Sequence, residues 1–136
     1  MTRKDLSKLY YLNKEIEMWH TELEKLEARS GYETSPISDA PKSFRKQSSP
    51  TEQRMLSVAR CKTKIDVLMF KAQKAQEETL NFIETIDDPL MRQIVMHRCV
   101  HLYGWKKIAT LMGGMSSPES LRNSYSQYLK KMFKDN

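Results

Sequence analysis

The last third of the chain carries side chains that are suited to hydrogen bonds with nucleobases and phosphates. The candidates for contact with base edges have planar or short polar groups: Ser117, Ser120, Arg122, Asn123 and Gln127. The candidates for contact with phosphates are ammonium groups on either side of them in the sequence: Lys106, Lys107, Lys130 and Lys131. The same residue types also form the ordinary solvent-facing side of a packing helix. Their position on the fold therefore decides between these two interpretations.

A second set of side chains, His97, Cys99 and His101, is of the kind that binds metals. On a helix the two histidines share one side, whereas Cys99 points away from them and no fourth ligand is evident. We therefore expect no metal and no cofactor. The chain also lacks a glycine-rich phosphate loop, a nucleophile-elbow motif and a carboxylate pair suited to acid–base catalysis. These observations predict that the protein is not an enzyme.

Three short helices are predicted to position the polar side chains within residues 87–136. Their expected ranges are about 89–103, 105–112 and 117–133. We expect the first to end at Gly104 in a left-handed conformation, and the second to end at the double glycine of residues 113 and 114. Asp88 is the expected N-cap of the first helix, and a serine before Pro118 is the expected N-cap of the third.

The apolar residues of these three helices predict which sides face a core. The expected inward residues are Leu90, Ile94, Val95, Cys99, Leu102, Ile108, Leu111, Met112, Leu121, Tyr125, Tyr128, Leu129, Met132 and Phe133. On the last helix this arrangement leaves Arg122, Asn123 and Gln127 outside. A DNA-recognition helix presents such residues to the major groove from its N-terminal half. A solvated packing helix is the alternative.

Two longer helices are predicted within residues 1–86, over about 5–29 and 51–86. Their apolar residues alternate in steps of three and four, which is the pattern of a heptad seam. The residues that we assign to oligomerisation or packing along these seams are Leu9, Leu12, Ile16, Trp19, Leu23, Leu26, Ile65 and Leu68. Each helix must bury its seam, either in a hairpin within the chain or against another chain. We favour a homo-oligomer, with a dimer as the expected state.

An antiparallel hairpin of the two long helices would place bulky residues of the first against small residues of the second. In that register we expect Trp19 to lie near Ala72 and Leu26 near Ile65. Residues 30–50, which join the two helices, contain three prolines and no sustained period, and this predicts a mobile linker. A partner-binding or modified segment around residues 44–46 is the alternative for this stretch.

Composition and charge narrow the class of protein. The 136 residues carry a net charge of +6, and residues 87–136 hold eight basic against four acidic side chains. A basic surplus favours binding to phosphate backbones through the release of counterions. The two cysteines and the absence of a membrane-length apolar run or a secretory N-terminus predict a cytoplasmic protein with free thiols. We predict an all-α fold with domains 1–86 and 87–136, and no membrane partner.

The stretch "LMRQIVMHRCVHLYGWKKIATLMGG…SPESLRNSYSQYLKKM" resembles region four of bacterial sigma factors. It follows that family's order of a helix with Arg near its end, a short "xIAxxxG" helix and a recognition helix. The whole plan resembles the late transcription regulators of phages and prophages of Gram-positive bacteria, the ArpU-like or RinA-like group. The specific match covers about residues 86–133. Two departures are a turn about two residues longer than usual before Leu121, and Trp105 at a position that is often Ser or Thr.

This resemblance implies a function for the protein. Its N-terminal helices would assemble or dock the protein, and its C-terminal helix-turn-helix would bind double-stranded promoter DNA in the bacterial host cell. The family also suggests RNA polymerase as a partner. Two other functions stay open: a helical assembly or adaptor protein without DNA binding, and a small terminase-like packaging factor.

Overall fold

The computed structural model describes residues 1–32 and 50–134, and these residues form helices and turns without a strand. The helical elements are α1 (Arg3–Tyr32), α2 (Pro50–Glu84), α3 (Pro89–Val95), a π-helical segment (Met96–Val100), α4 (Trp105–Leu111) and α5 (Pro118–Met132). The prediction of an all-α fold is confirmed. The predicted linker over residues 30–50 lies mostly outside the described residues.

The chain divides into two compact units. Residues Met1–Leu12 and Lys71–Asn136 form the first unit, and residues Asn13–Phe70 form the second. The sequence predicted a domain boundary between residues 86 and 87. The boundaries of the compact units lie elsewhere because Leu6 of α1 and Ile83 of α2 are buried in the same core as the C-terminal helices.

The core of the first unit brings together apolar side chains from all of its helices. The buried residues are Leu6, Ile83, Ile86, Met91, Ile94, Val95, Cys99, Ile108, Ala109, Leu121 and Leu129. Both α3 and α4 pack against α5, and α4 also packs against the π-helical segment. Full burial of a large aliphatic side chain contributes about 1.5–3 kcal/mol. This core therefore fixes how α5 is oriented in the unit.

Three of the expected inward residues, Leu90, Leu111 and Met132, are exposed instead, so these predictions were wrong. Leu90 lies at the edge of the α3 stripe, where the neighbouring Met91 is buried in its place. In α4 the buried side is centred on Ile108 and its neighbour Ala109, which turns Leu111 away from the core. Met132 is the last residue of α5, and the next residue, Phe133, packs against the core in its place.

Side-chain caps start α3 and α5 where the sequence predicts them. The Asp88 carboxylate accepts a hydrogen bond from the backbone N–H of Leu90 at 3.1 Å. The Ser117 hydroxyl accepts one from the backbone N–H of Ser120, also at 3.1 Å. A proline follows each cap in the first turn. Each cap satisfies a backbone donor that has no partner inside the helix, which stabilises the helix by about 1 kcal/mol.

The predicted end of the helix over 89–103 was wrong. The helix widens into the π-helical segment, and the N–H of His101 donates to the carbonyl of Met96 at 3.1 Å. The chain then turns at Leu102, which has a φ of 61°, whereas Gly104 is extended and forms the N-cap of α4. The helix ends at Val100, before the predicted residue 103, and the residue with the left-handed conformation is Leu102. That conformation costs a non-glycine residue about 1–2 kcal/mol.

The predicted break at the double glycine is confirmed. Gly113 and Gly114 have φ values of 98° and 72°. The N–H of Gly113 donates to the carbonyl of Thr110 at 3.2 Å, and the N–H of Gly114 donates to the carbonyl of Ala109 at 2.9 Å. This pair of bonds is a Schellman motif, which satisfies the last carbonyls of a helix while the chain reverses.

In the second unit, α1 and α2 run antiparallel. Trp19 lines a groove with Lys64 and Leu68, and Leu26 lines the adjoining groove with Cys61. The predicted register, which placed Leu26 near Ile65, was therefore wrong by about one helical turn. Trp19, which was predicted to lie near Ala72, contacts Lys64 instead. The Lys64 Nζ atom lies 4.3 Å from the centroid of the indole ring, in a cation–π contact.

The residues assigned to oligomerisation or packing are covered within the chain. Leu9, Ile65 and Leu68 are buried, and the other members of the set are half-buried: Leu12, Ile16, Trp19, Leu23 and Leu26. These seams are therefore at least half-covered within the chain.

Candidate nucleic-acid interface

The orientation of α5 follows from its buried residues. Leu121 and Leu129 are buried in the core of the first unit. At about 100° per residue, Ser120, Asn123 and Gln127 lie on the opposite side of the helix, at steps of three and four. All three are exposed. We call this side, defined by Ser120, Asn123 and Gln127, the outer face of α5.

The other two candidates for base contact are also exposed but differ in their surroundings. Arg122 projects from the flank of α5, between the outer face and the buried side. The Ser117 oxygen accepts the capping hydrogen bond from Ser120, so that this hydroxyl has its hydrogen left to donate. The outer face and Arg122 thus offer amide, hydroxyl and guanidinium groups within about two turns of one helix.

The four candidates for phosphate contact lie at two helix ends and are all exposed. Lys106 and Lys107 are in the first turn of α4, and Lys130 and Lys131 are in the last turn of α5. The Lys107 Nζ atom lies 4.0 Å from the centroid of the Tyr103 ring. This cation–π contact restrains the ammonium group at the surface without neutralising its charge.

A set of contacts that the sequence did not predict holds α4 and α5 against the π-helical segment. Nη1 of Arg98 donates a hydrogen bond to the Tyr103 carbonyl at 3.0 Å. The guanidinium carbon of Arg98 lies 5.0 Å from the centroid of the Trp105 ring, and that ring is 5.4 Å from the Tyr125 ring. Trp105, which departs from the pattern of sigma region four that the sequence resembles, therefore has a packing role in this chain.

Cys99 and Tyr125 form a neutral hydrogen bond inside the first unit. The Cys99 Sγ atom lies 3.2 Å from the Tyr125 hydroxyl oxygen. Burial raises the pKa of the Cys99 thiol and also the pKa of the Tyr125 phenol. Both groups therefore stay protonated near neutral pH. A protonated, buried thiol is a poor metal ligand.

His97, His101 and Tyr103 form a cluster of rings at the end of the π-helical segment. The His97 ring centroid lies 6.1 Å from that of His101 and 6.0 Å from that of Tyr103. The Nδ1 atom of His97 is buried and has no hydrogen-bond partner among the described residues. Burial lowers the pKa of His97, and the charge of His101 lowers it further.

Within residues 1–32 and 50–134, no group of three or more histidine, cysteine or acidic side chains is arranged to hold a metal ion. The expectations of no metal, no cofactor and no enzymatic activity remain predictions. In the same part of the chain, no helix is both long enough and apolar enough to cross a membrane.

Comparison with known proteins gave no match of any of the three kinds. No protein-family model, no curated protein and no solved structure matches the chain. The resemblance to region four of sigma factors and to the ArpU-like or RinA-like regulators therefore remains a prediction from the residues.

Proposed function

We propose that the protein is a sequence-specific DNA-binding transcriptional regulator of phage or prophage type. In this proposal α4 and α5 form a helix-turn-helix, and α5 is the recognition helix in the major groove. The observation that carries the proposal is the division of α5 into two sides. One side of α5 is buried in the core through Leu121 and Leu129. The opposite side is exposed to solvent and carries Ser120, Asn123 and Gln127.

The groups on α5 match the hydrogen-bonding patterns of bases in the major groove. Asn123 and Gln127 each have one amide donor and one amide acceptor, as required for N7 and the N6 amino group of adenine. Arg122 has the paired donors that fit O6 and N7 of guanine. Each good bidentate pair contributes about 1–3 kcal/mol of discrimination against the wrong base. Ser120 adds a hydroxyl that either donates or accepts.

The lysines supply the sequence-independent part of the affinity. Lys106, Lys107, Lys130 and Lys131 are exposed and available to the phosphate backbone. Each phosphate neutralised lowers the slope of log affinity against log salt by about 0.9, so that four contacts give a slope of about −3 to −4. Phosphate contacts fix the position of the helix on the duplex, and the base contacts then select the sequence.

The turn between α4 and α5 supports this proposal despite its unusual length. The left-handed Gly113 and Gly114 end α4 in a Schellman motif, and the Ser117 cap starts α5. Leu121 stays buried beyond this turn. The extra residues are therefore accommodated in the turn and do not disturb the packing of the helix that follows.

The proposal extends to partners and location. A homo-oligomer would bring two α5 helices to adjacent half-sites, so that two weak contacts reinforce each other through effective concentration. We further propose RNA polymerase as a partner, and the cytoplasm of a bacterial host as the location. The second candidate function is that of an assembly or adaptor protein without DNA binding. Exposed apolar side chains on α2 favour it, and Phe70 is the most exposed of them.

Two sets of substitutions on α5 test the proposal in a mobility-shift assay that compares a preferred with a random duplex. We expect Arg122→Ala with Gln127→Ala to reduce the preference for the selected duplex more than the binding to random DNA, because base contacts are lost. Lys130→Ala with Lys131→Ala should weaken binding to both duplexes and flatten the salt dependence.

Gln76→Ala is the matched control for these variants, since Gln76 is an exposed residue of α2. It should bind as the unchanged protein does. A double variant of Arg122 and Gln127 that keeps the full sequence preference would show that α5 does not read the bases.

A further inference from the structure

A second apolar stripe runs along α2 in the second unit, on the side of the helix opposite its buried residues Cys61, Ile65 and Leu68. Its residues follow steps of three and four along the helix, as one side of an α-helix requires: Leu56, Ala59, Thr63, Val67 and Phe70. We call these five residues the outer face of α2. Phe70 is 70% exposed, Leu56 54% and Val67 48%. Contiguous exposed apolar side chains on a surface mark an interaction site.

The opposite side of α2 is already occupied within the chain. Cys61, Ile65 and Leu68 are buried there, and Trp19 and Leu26 of α1 line grooves beside them. Thr63 and Val67 lie at the edge of the groove that Trp19 lines. The seam that the sequence assigned to oligomerisation is therefore used inside the unit. On α2, a contact between two chains would therefore use the outer face, above all Leu56, Ala59 and Phe70, which line neither groove.

We propose that the outer face of α2 is the interface of an antiparallel homodimer, in which Phe70 of each chain packs on Ala59 of the other. Thr63 lies near the centre of this contact. The binding partner is thus a second copy of the same chain, which contributes the same surface to the contact. The proposal is independent of DNA binding, since none of its residues belongs to α5.

The shapes of the side chains fit a two-fold pairing. In an antiparallel two-fold pair, residues at equal distances on either side of the centre face each other, and every contact occurs twice. If the two-fold axis passes level with the midpoint between residues 64 and 65, the ring of Phe70 lies opposite Ala59 of the other chain. The small methyl group of Ala59 leaves room for that ring. The Thr63 hydroxyl already donates to the Ala59 carbonyl at 3.0 Å. The hydroxyl group of Thr63 therefore needs no acceptor from the other chain when the interface covers it.

The charges on the rim fit the same pairing. Lys62 and Asp66 lie on the same flank of the outer face and are both exposed. An antiparallel two-fold pair puts equal flanks against each other, so that Asp66 of each chain lies close to Lys62 of the other. A parallel two-fold pair would instead bring opposite flanks together, so that Lys62 and Asp66 of the two chains would lie on opposite sides of the contact. Opposite charges across an interface favour one partner and one register.

The extent of the face sets the expected strength of the dimer. From Leu56 to Phe70 it covers about 21 Å of helix at ~1.5 Å per residue. Such a contact buries less surface than the roughly 1,200–2,000 Å² of standard specific interfaces. We therefore expect a dimer that forms in the micromolar range and dissociates on dilution.

Sedimentation equilibrium of the full chain without DNA tests the proposal, over a concentration series that extends to about 100 µM. The chain has a mass of 16.0 kDa. We expect the unchanged protein to approach twice this mass at the upper end, and Phe70→Glu to keep the single-chain mass throughout. Met18→Glu is the matched control, because Met18 of α1 is 54% exposed and lies outside the outer face of α2. It should dimerise like the unchanged protein.

A charge exchange tests the register of the pair. Asp66→Lys should weaken the dimer because it places lysines against each other, and Lys62→Glu combined with Asp66→Lys should restore it. Circular dichroism confirms that each variant keeps its helices. The proposal is overturned if the unchanged protein keeps the single-chain mass at the highest concentration, if Phe70→Glu dimerises normally, or if the charge exchange fails to restore the dimer. These results test the dimer alone, whereas the mobility-shift variants of α5 test whether a single chain reads DNA.

Discussion

The Sγ atom of Cys99 and the hydroxyl oxygen of Tyr125 lie 3.2 Å apart and form a hydrogen bond between the π-helical segment and α5. The two residues are 26 positions apart in the chain, so this bond joins elements that the turn at Gly113 and Gly114 separates. Both groups are protonated because burial raises the pKa of each. The bond is therefore unaffected by pH near neutrality, and it helps to hold α5 with its polar side outward.

Tyr125→Phe should lower the free energy of unfolding by about 1 kcal/mol, because it leaves the buried thiol of Cys99 without this hydrogen-bond partner. The ring and its contact with Trp105 would remain. Urea unfolding followed by circular dichroism measures the change. Tyr11→Phe is the control, since Tyr11 is an exposed residue of α1. Equal stability of the two variants would show that the Cys99–Tyr125 bond contributes nothing.

Gly113→Ala should destabilise the protein by about 1–2 kcal/mol, because an L-residue is strained at a φ of 98°. A Cβ atom built at Gly113 meets nothing within 4 Å, and the same is true at Gly104. Gly104→Ser is therefore a control without the strain, since Gly104 is the extended N-cap of α4. We expect its stability to be unchanged or slightly higher. Thermal unfolding of both variants separates backbone strain from side-chain crowding.

Stability should fall as the pH is lowered through the ordinary His pKa of 6.5, because of His97. Burial lowers the pKa of His97 in the folded chain, so the unfolded chain takes up a proton at a higher pH than the folded chain does. This contribution is fully present above pH 6.5 and is lost as the pH falls towards the folded pKa. Urea midpoints measured between about pH 7.5 and pH 5 should show the decline.

His97→Phe should reduce that decline, since a phenyl ring keeps the contact with Tyr103 but does not titrate. His20→Phe provides the comparison, because His20 is exposed on α1. It should retain the pH dependence of the unchanged protein. A pH profile of His97→Phe that overlays the unchanged protein would exclude His97 as the cause.

The starts and stops of the short helices could be predicted because they depend on neighbouring residues. Asp88 and Ser117 cap the helices that follow them, and the double glycine ends α4. The π-helical segment could not be predicted, because its wider turn is tied to contacts with distant residues. Arg98 reaches Trp105 and Cys99 reaches Tyr125 from that segment, and neither contact leaves a periodic signal in the sequence.

The sides of the long helices could be predicted, but their register could not. A shift by one turn replaces Ile65 with Cys61 opposite Leu26, and both are apolar residues of the same stripe. The heptad pattern does not distinguish two such registers. The contact of the Lys64 ammonium group with the Trp19 ring adds a preference that apolar periodicity does not contain.

The solvent-facing positions of Ser120, Asn123 and Gln127 were predictable because a helical period separates them from Leu121 and Leu129. Their exposure in the structure agrees with that separation. The contact of the Lys107 ammonium group with the Tyr103 ring was not predicted. It depends on the position of a ring that the pattern of charges does not describe.

The central claim, that α5 reads DNA, is tested most directly by selecting bound fragments from sheared phage and bacterial genomic DNA with the purified full chain. Affinity for the enriched fragments is then measured over a salt series. We expect enriched fragments that share a short motif, and a slope of log affinity against log salt of about −3 to −4. Recovery of fragments without any common motif, together with binding that is weak and insensitive to salt, would contradict the claim.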